Sequence, residues 1–287
     1  MKIYQIINQA IKFLINKRIT SANLDAEILL AHVLKTSREV VIAHPEKQLT
    51  KQQIKKFQLL ILRRGRYEPI AYLVGYKFFY GLKIKVSPQV LIPRFETEQL
   101  VDLVRLYLEE NNFNHQITTI LDIGTGSGAI SLALKKYLPT YKIYGLELSD
   151  EAIKLAKNNS KNLHLKIIFK KSDLLSNFTS NLKNAIIVAN LPYLDKKQLK
   201  DLPPEIKKGL YYEPATALFA GQHGLACYQK LFNQISSYQN YPQSIFIEIN
   251  NIFWQDFFAL SKKYFPQQKI NLIKDIFKQP RFIKIVF

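Results

Sequence analysis

One cysteine, Cys227, in 287 residues excludes an internal disulfide and a cysteine metal cluster, and no metal site is expected. The usage fits a reducing, cytoplasmic setting, and the thiol itself reads as a small apolar filler. Long apolar runs are missing as well. None approaches the length of a membrane span, so no membrane partner is expected. The opening MKIYQIINQAIKFLINKRIT interleaves Lys2, Lys12, Lys17 and Arg18 with its apolar residues, so no secretory signal core is expected there. There is no internal repeat and no low-complexity segment. Acidic residues are scarce, 22 Asp and Glu against 41 Lys and Arg, giving a net charge of +19. Such a balance favours association with RNA or another polyanion. The basic residues, however, are mostly lysine, scattered beside abundant Ile, Asn, Phe and Tyr, a pattern that coding bias also produces. Direct nucleic-acid recognition is therefore not expected to be the function. Apolar side chains are plentiful: 47% of the chain is hydrophobic, with 18 Phe and 16 Tyr, enough to build a sizeable core and to exclude disorder.

Residues 1 to 75 alternate apolar and polar at helical spacing, as in Ala22–Leu34, and predict a small helical domain; His32 lies in that pattern as a helix-face residue. Residues 76–93 switch to short β-type runs broken by Gly81 and by Ser87-Pro88, a hairpin linker between two domains. From residue 94 to 287 helical stretches separate candidate strands at Thr118–Ile123, Lys142–Glu147, Leu165–Lys170 and Ala185–Ala189. That alternation predicts an α/β fold with a doubly wound, mostly parallel, Rossmann-like sheet. Ser244–Ile249, Ile270–Asp275 and Phe282–Phe287 extend it, the last two as an antiparallel edge.

Four stretches carry chemistry. Leu121–Ile130 reads LDIGTGSGAI and sits where the first strand turns into a helix, the position at which such sheets hold a nucleotide-like ligand. Gly124, Gly126 and Gly128 alternate, so they do not form the G-x-G-x-x-G arrangement that seats a pyrophosphate. Bare backbone at Gly124, Thr125, Gly126, Ser127 and Gly128, with Asp122 before it, suits close approach of an adenosyl group. Glu147 ends the second strand, where a carboxylate matches a ribose diol and repels a 2′-phosphate. Asp173, followed by Leu174, comes after the third strand and either accepts from an adenine amino group or caps a helix. The fourth strand, Ala185–Ala189, stops abruptly at Asn190-Leu191-Pro192-Tyr193, which in isolation reads as an ordinary turn.

In this order, Asp122–Gly128, Glu147, Ser172-Asp173 and Asn190–Tyr193 resemble the class I S-adenosylmethionine-dependent methyltransferases that modify planar nitrogens. Three further stretches, Arg64–Gly75, Val90–Glu98 and Tyr212–Leu218, are similar to the HemK/PrmC-type glutamine methyltransferases over Leu24 to Phe287. The resemblance implies S-adenosylmethionine as cofactor, held by Asp122, Gly124–Gly128, Glu147, Asp173, Leu174 and Asn190. It implies class I peptide chain release factors as partner, methylated on the glutamine of their Gly-Gly-Gln loop, a cytoplasmic monomer, and docking of the substrate by the helical domain. Asn190, Leu191, Pro192 and Tyr193 would bind the substrate. A carboxamide nitrogen is a poor nucleophile, so the site must hold and turn it. The Asn190 side-chain oxygen and the Leu191 carbonyl would accept its two N–H bonds, Tyr193 would cover its flat face, and Pro192 would fix the turn. The methylated nitrogen is acidic enough to lose its proton to water, which agrees with the lack of a histidine near these motifs.

The chain departs from the family at two places. Leu191 stands where the family has its first motif proline, adding an N–H that needs a partner, and Asn-Leu-Pro-Tyr is the form found in ribosomal RNA adenine dimethyltransferases. Glu248-Ile249-Asn250 replaces Glu-Ile-Gly, a change expected to touch none of the assigned chemistry. A ribosomal-protein glutamine, a ribosomal RNA adenine, and an RNA-binding module without catalysis are the alternative readings.

Overall fold

The helical periodicity of the first 75 residues takes the form of five helices in the computed structural model, which describes residues 1–111 and 118–287. These are α1 (Ile3–Asn16), α2 (Ala22–Leu34), α3 (Arg38–Ala43), α4 (Lys51–Arg64) and α5 (Ile70–Val74). In α1, Ile3, Ile6, Ala10 and Leu14 fall on one face and are buried, the spacing of an amphipathic helix. α2 runs through the middle, packing on α1, α3, α4 and α5, and its run of Ala and Leu lets neighbours approach closely. His32 is exposed on α2. Thr50 caps α4, taking the Gln53 amide at 3.2 Å while the Gln53 side chain takes the Thr50 amide at 2.9 Å, a reciprocal capping box.

Met1–Tyr76 and Asp201–Tyr212 form one compact unit, and Lys77–Lys200 with Glu213–Phe287 the other. The sequence reading placed all of 94–287 in one domain, so 201–212 is a correction. Its cause is a buried charge. Arg64, on α4, donates from Nε to Asp25 at 2.7 Å and from its terminal nitrogen to Glu205, while Thr20 donates from N and Oγ1 to Glu205 at 3.0 Å. A guanidinium out of water needs carboxylate partners, and the second is supplied by the later segment. The hairpin also belongs to the second unit from Lys77 onward rather than standing apart as a linker.

The second unit starts one residue into β1 (Tyr76–Phe79), which pairs with β2 (Leu82–Lys85) across Tyr80 and Gly81 at φ +49° and +71°, the turn that suits a twisted two-residue hairpin. There follow α6 (Glu98–Asn111), β3 (Thr119–Ile123), α7 (Ala129–Tyr137), β4 (Lys142–Glu147), α8 (Asp150–Asn162), β5 (Ile168–Lys171) and β6 (Ala185–Ala189). Next in the chain are α9 (Pro204–Leu210, in the first unit), α10 (Ala215–Leu218), α11 (Ala226–Ser236), β7 (Ser244–Glu248), α12 (Trp254–Tyr264), β8 (Lys269–Lys274) and β9 (Pro280–Val286). The sheet order is β5-β4-β3-β6-β7-β9-β8, parallel from β5 to β7 and antiparallel beyond. β5 begins later than the sequence suggests, because α8 is still unwinding at Leu165, whose N–H returns to the Ser160 carbonyl at 3.1 Å. The strands β6 and β7 are buried at every residue, as expected for strands covered on both faces. β3 lies between β4 and β6, so strand order reverses there. The crevice beyond the carboxyl ends of β3 and β6 is where such sheets bind ligands.

Candidate functional site

The loop leaving β3 depends on backbone that only glycine takes freely. Gly124 and Gly126 have φ of +71° and +55°, in the left-handed region, and the amides of Gly124 and Thr125 both donate to the Leu146 carbonyl on β4, at 2.8 and 3.1 Å. Asp122 is fully buried below the loop. Its Oδ2 accepts from Thr125 Oγ1 at 2.6 Å, Ser131 N at 3.0 Å and Ser131 Oγ at 2.6 Å, while Oδ1 is buried with no hydrogen-bond partner. Burial pushes the Asp122 carboxyl up to about 6, against the hydrogen bonds from Ser131 and Thr125. Asp122 does not reach the cavity wall; it braces the loop. Gly128 also stays off the wall: it precedes α7, and a Cβ there would meet Ala156 and Leu132 at 3.3 Å, so its role is close packing. Gly124, Thr125, Gly126 and Ser127 do line the cavity.

Glu147, at the end of β4, points onto the same loop. Oε2 accepts from Gly126 N at 2.9 Å, and Oε1 from Leu148 N at 2.8 Å and Ser149 N at 3.0 Å. These three bonds fill three of about four acceptor sites on the carboxylate, leaving one for a hydroxyl donor from the cavity it lines. Asp173 and Leu174 lie on the wall too. The Asp173 carboxylate caps no helix; it pairs with Lys230 of α11.

The turn after β6 is held from behind. Parallel pairing sets Ala189 beside Ile247, so Asn190 emerges next to Glu248 at the end of β7. Asn190 Nδ2 donates to Glu248 Oε2 and to Thr97 Oγ1, both at 2.9 Å, and Thr97 Oγ1 donates to the same Oε2 at 2.7 Å. A carboxylate oxygen can only accept, so the amide must turn its NH2 toward Glu248 and leave Oδ1 for the cavity. Among the described residues no donor bonds to Asn190 Oδ1 or to the Leu191 carbonyl. The extra N–H at Leu191 has found its partner: it donates to Tyr228 Oη at 3.0 Å. Pro192 lines the cavity beside Asn190 and Leu191, but Tyr193 does not. The Tyr193 hydroxyl donates to Glu248 Oε1 at 2.9 Å, and its carbonyl accepts from Asn250 Nδ2 at 3.0 Å. The expectation that Asn250, in place of the glycine of Glu-Ile-Gly, touches none of the assigned chemistry is corrected: Asn250 ties down the far end of the turn whose hub is Glu248. Burial pushes the Glu248 carboxyl above its ordinary range, opposed by the bonds from Thr97 and Tyr193 and by the Arg281 guanidinium.

Thr97, Tyr228 and Glu248 were not among the residues picked out by sequence reasoning. The partial signal for Glu248 was an acid closing the apolar run Ile245–Ile247, but its place beside Asn190 follows only from the β6–β7 register. Tyr228 left none. Pro93, Arg94 and Thr97 complete one side of the cavity, with Arg94 fixed to the buried Glu213 at 2.6 Å. The space enclosed is about 570 Å³, the size of a small-molecule or cofactor site.

A glycine loop after the first strand, an acid after the second and a polar turn after the fourth, at the switch point of this sheet, define a class I methyltransferase. Solved structures share the fold. The human METTL16 catalytic domain in complex with an RNA hairpin superposes with a TM-score of 0.55 at 15% identity, over 72% of this chain and 76% of that one. A methyltransferase from Pyrococcus furiosus gives 0.50 at 16% identity, over 80% and 96%. Residues 5–75 match the PrmC N-terminal domain and residues 101–206 the methyltransferase small domain. Release factor glutamine methyltransferases are similar along the chain: that of Streptococcus pneumoniae is 36% identical over 84% of this chain and 83% of its own. The Bacillus cereus protein is 33% identical over 99% and 98%, and the Buchnera aphidicola protein 40% identical over 78% of each. The chain belongs to the release factor glutamine methyltransferase family.

Proposed function

We infer that this chain transfers a methyl group from S-adenosylmethionine to the side-chain amide nitrogen of the glutamine in the Gly-Gly-Gln loop of class I peptide chain release factors. The observation that carries the inference is the Asn190 amide, locked by Glu248 and Thr97 so that its oxygen serves the cavity next to the Leu191 carbonyl. Two fixed acceptors suit an NH2 group.

The residues present fit the cofactor. Gly124 and Gly126 offer bare backbone, Glu147 a carboxylate for one hydroxyl of a diol, and Asp173 an acceptor for an amino group, all on one cavity wall. S-adenosylmethionine, when bound, supplies an electrophilic methyl on its sulfonium. The chain's residues do the rest. Asn190 Oδ1 and the Leu191 carbonyl accept the two N–H bonds of the substrate amide and aim its nitrogen. As the N–C bond forms and the C–S bond breaks, positive charge grows on nitrogen, and both acceptors stabilise it. Glu248, behind Asn190, polarises that amide and strengthens its oxygen as an acceptor. The proton then leaves the nitrogen for water. Pro192 fixes the turn, and Tyr193 braces it through its hydroxyl. The helical unit is read as the docking domain for the substrate protein, and the enzyme as a cytoplasmic monomer.

Labelled S-adenosylmethionine, offered with release factor, its Gln→Ala form, ribosomal protein and ribosomal RNA in parallel, tests the reading. Label is expected in the glutamine-bearing release factor alone. Methylated adenine in the RNA beside an unmodified release factor would overturn it.

A further inference from the structure

Tyr228 is fully buried near the start of α11. Its hydroxyl accepts from the Leu191 amide at 3.0 Å and donates to the Glu248 carbonyl at 2.5 Å, so one oxygen ties the ends of β6 and β7 together. Burial raises the phenol well above its ordinary range, and it remains a donor at any working pH. The peptide plane it holds joins Asn190 to Leu191 and so lies between the two acceptors assigned to the substrate amide. The Leu191 side chain is fixed as well, since a Cβ on Gly124 would come within 2.8 Å of its Cδ2. Pro192 holds the Leu191 backbone in the extended region. With its N–H, its side chain and the following residue all anchored, Leu191 has one direction left for its carbonyl.

We propose that Tyr228 is a positioning residue for methyl transfer: its hydroxyl takes the N–H that a proline at 191 would not present, and thereby aims the Leu191 carbonyl at the substrate amide. The proposal rests on the reading that this carbonyl accepts from the substrate. Tyr228→Phe isolates the hydroxyl, because the ring keeps its edge-on packing against Phe257, at 5.4 Å between centroids. It strands two buried backbone groups, the Leu191 N–H and the Glu248 carbonyl, which is the costly outcome for a hydrogen bond.

Single-turnover methyl transfer to release factor should fall about tenfold in Tyr228→Phe, with the cofactor dissociation constant within about twofold of wild type. A double-mutant cycle gives the specific signature. Placed on a Leu191→Pro background, which has no N–H to strand, Tyr228→Phe should cost less than about threefold. Equal losses on both backgrounds, or an unchanged rate in Tyr228→Phe alone, would overturn the proposal. Amide hydrogen exchange reads the bond without any catalysis: Leu191 should be protected in wild type and exchange faster in Tyr228→Phe by more than the loss of global stability, measured by denaturation, accounts for. Failure of wild type to methylate glutamine would sink the functional reading, whereas normal wild-type turnover with unaltered Leu191 exchange in Tyr228→Phe would sink only this one.

Discussion

Two pairs of carboxylates are handled differently, Asp25 and Glu205 in the helical unit and Asp122 and Glu248 in the methyltransferase unit, where Glu213 and Asp275 also pair with cations, Arg94 and Arg281. In the helical unit Asp25 and Glu205 face Arg64, so charge meets charge, and Glu205 is held below its ordinary range despite its burial, through its bonds from Thr20 and the Arg64 guanidinium. In the methyltransferase unit Asp122 and Glu248 are fully buried and are met directly by hydroxyl and amide donors, and both carboxyls are raised by burial. Pairing with a cation neutralises a carboxylate and makes it structural. Surrounding it with donors keeps it an acceptor, and each donor it grips is thereby aimed: the glycine loop by Asp122, the Asn190 amide by Glu248. The first arrangement secures a fold and the second a reactive geometry.

That contrast puts the largest effect of a single change on the helical unit. Arg64→Ala leaves Asp25 buried without its cation and should destabilise that unit by about 3–5 kcal/mol, read by chemical denaturation, with a much smaller effect on cofactor binding. Next comes Asn190→Ala, which removes an acceptor that matters most as charge develops. Its kcat should drop roughly 10²-fold or more with substrate affinity little changed, and a loss confined to KM would mean simple positioning. Smaller again is Glu147→Ala, expected to cost about 1.5–3 kcal/mol in cofactor binding, which calorimetry would register as at least a tenfold rise in the dissociation constant.

Much of this geometry is legible in the sequence where chemistry is local. The run Ala185–Ala189 ending at Asn190 announces a buried strand feeding a polar turn, and Gly124-Thr125-Gly126-Ser127-Gly128 announces a loop at a strand end. Glu147 follows from strand length alone. Non-local pairings were not legible. Nothing near Glu205 shows that Arg64, far away in the chain, needs it, so the return of 201–212 to the helical unit was missed. The grip on Asn190 requires the β6–β7 register before Glu248 can be placed. Tyr228 looks like one more aromatic on an amphipathic helix, and only its hydroxyl's position distinguishes it. Asp122 shows the converse error: it sits inside the motif, yet burial turns it inward to Thr125 and Ser131 rather than toward the cavity.

An ionised Glu248 aims the Asn190 amide, and the pH dependence of methyl transfer exposes that role. Because the folded Glu248 carboxyl is raised above its unfolded value, its contribution to stability is present below the unfolded value and is lost as pH rises through the folded one. Activity has the opposite sense, since only the ionised form accepts from both Asn190 and Thr97. Single-turnover methyl transfer at saturating cofactor should therefore decline in wild type as pH falls through the raised Glu248 value. Glu248→Gln, slower at neutral pH by about tenfold for want of a charged acceptor, should lack that decline. The same acid limb in both proteins would contradict the account.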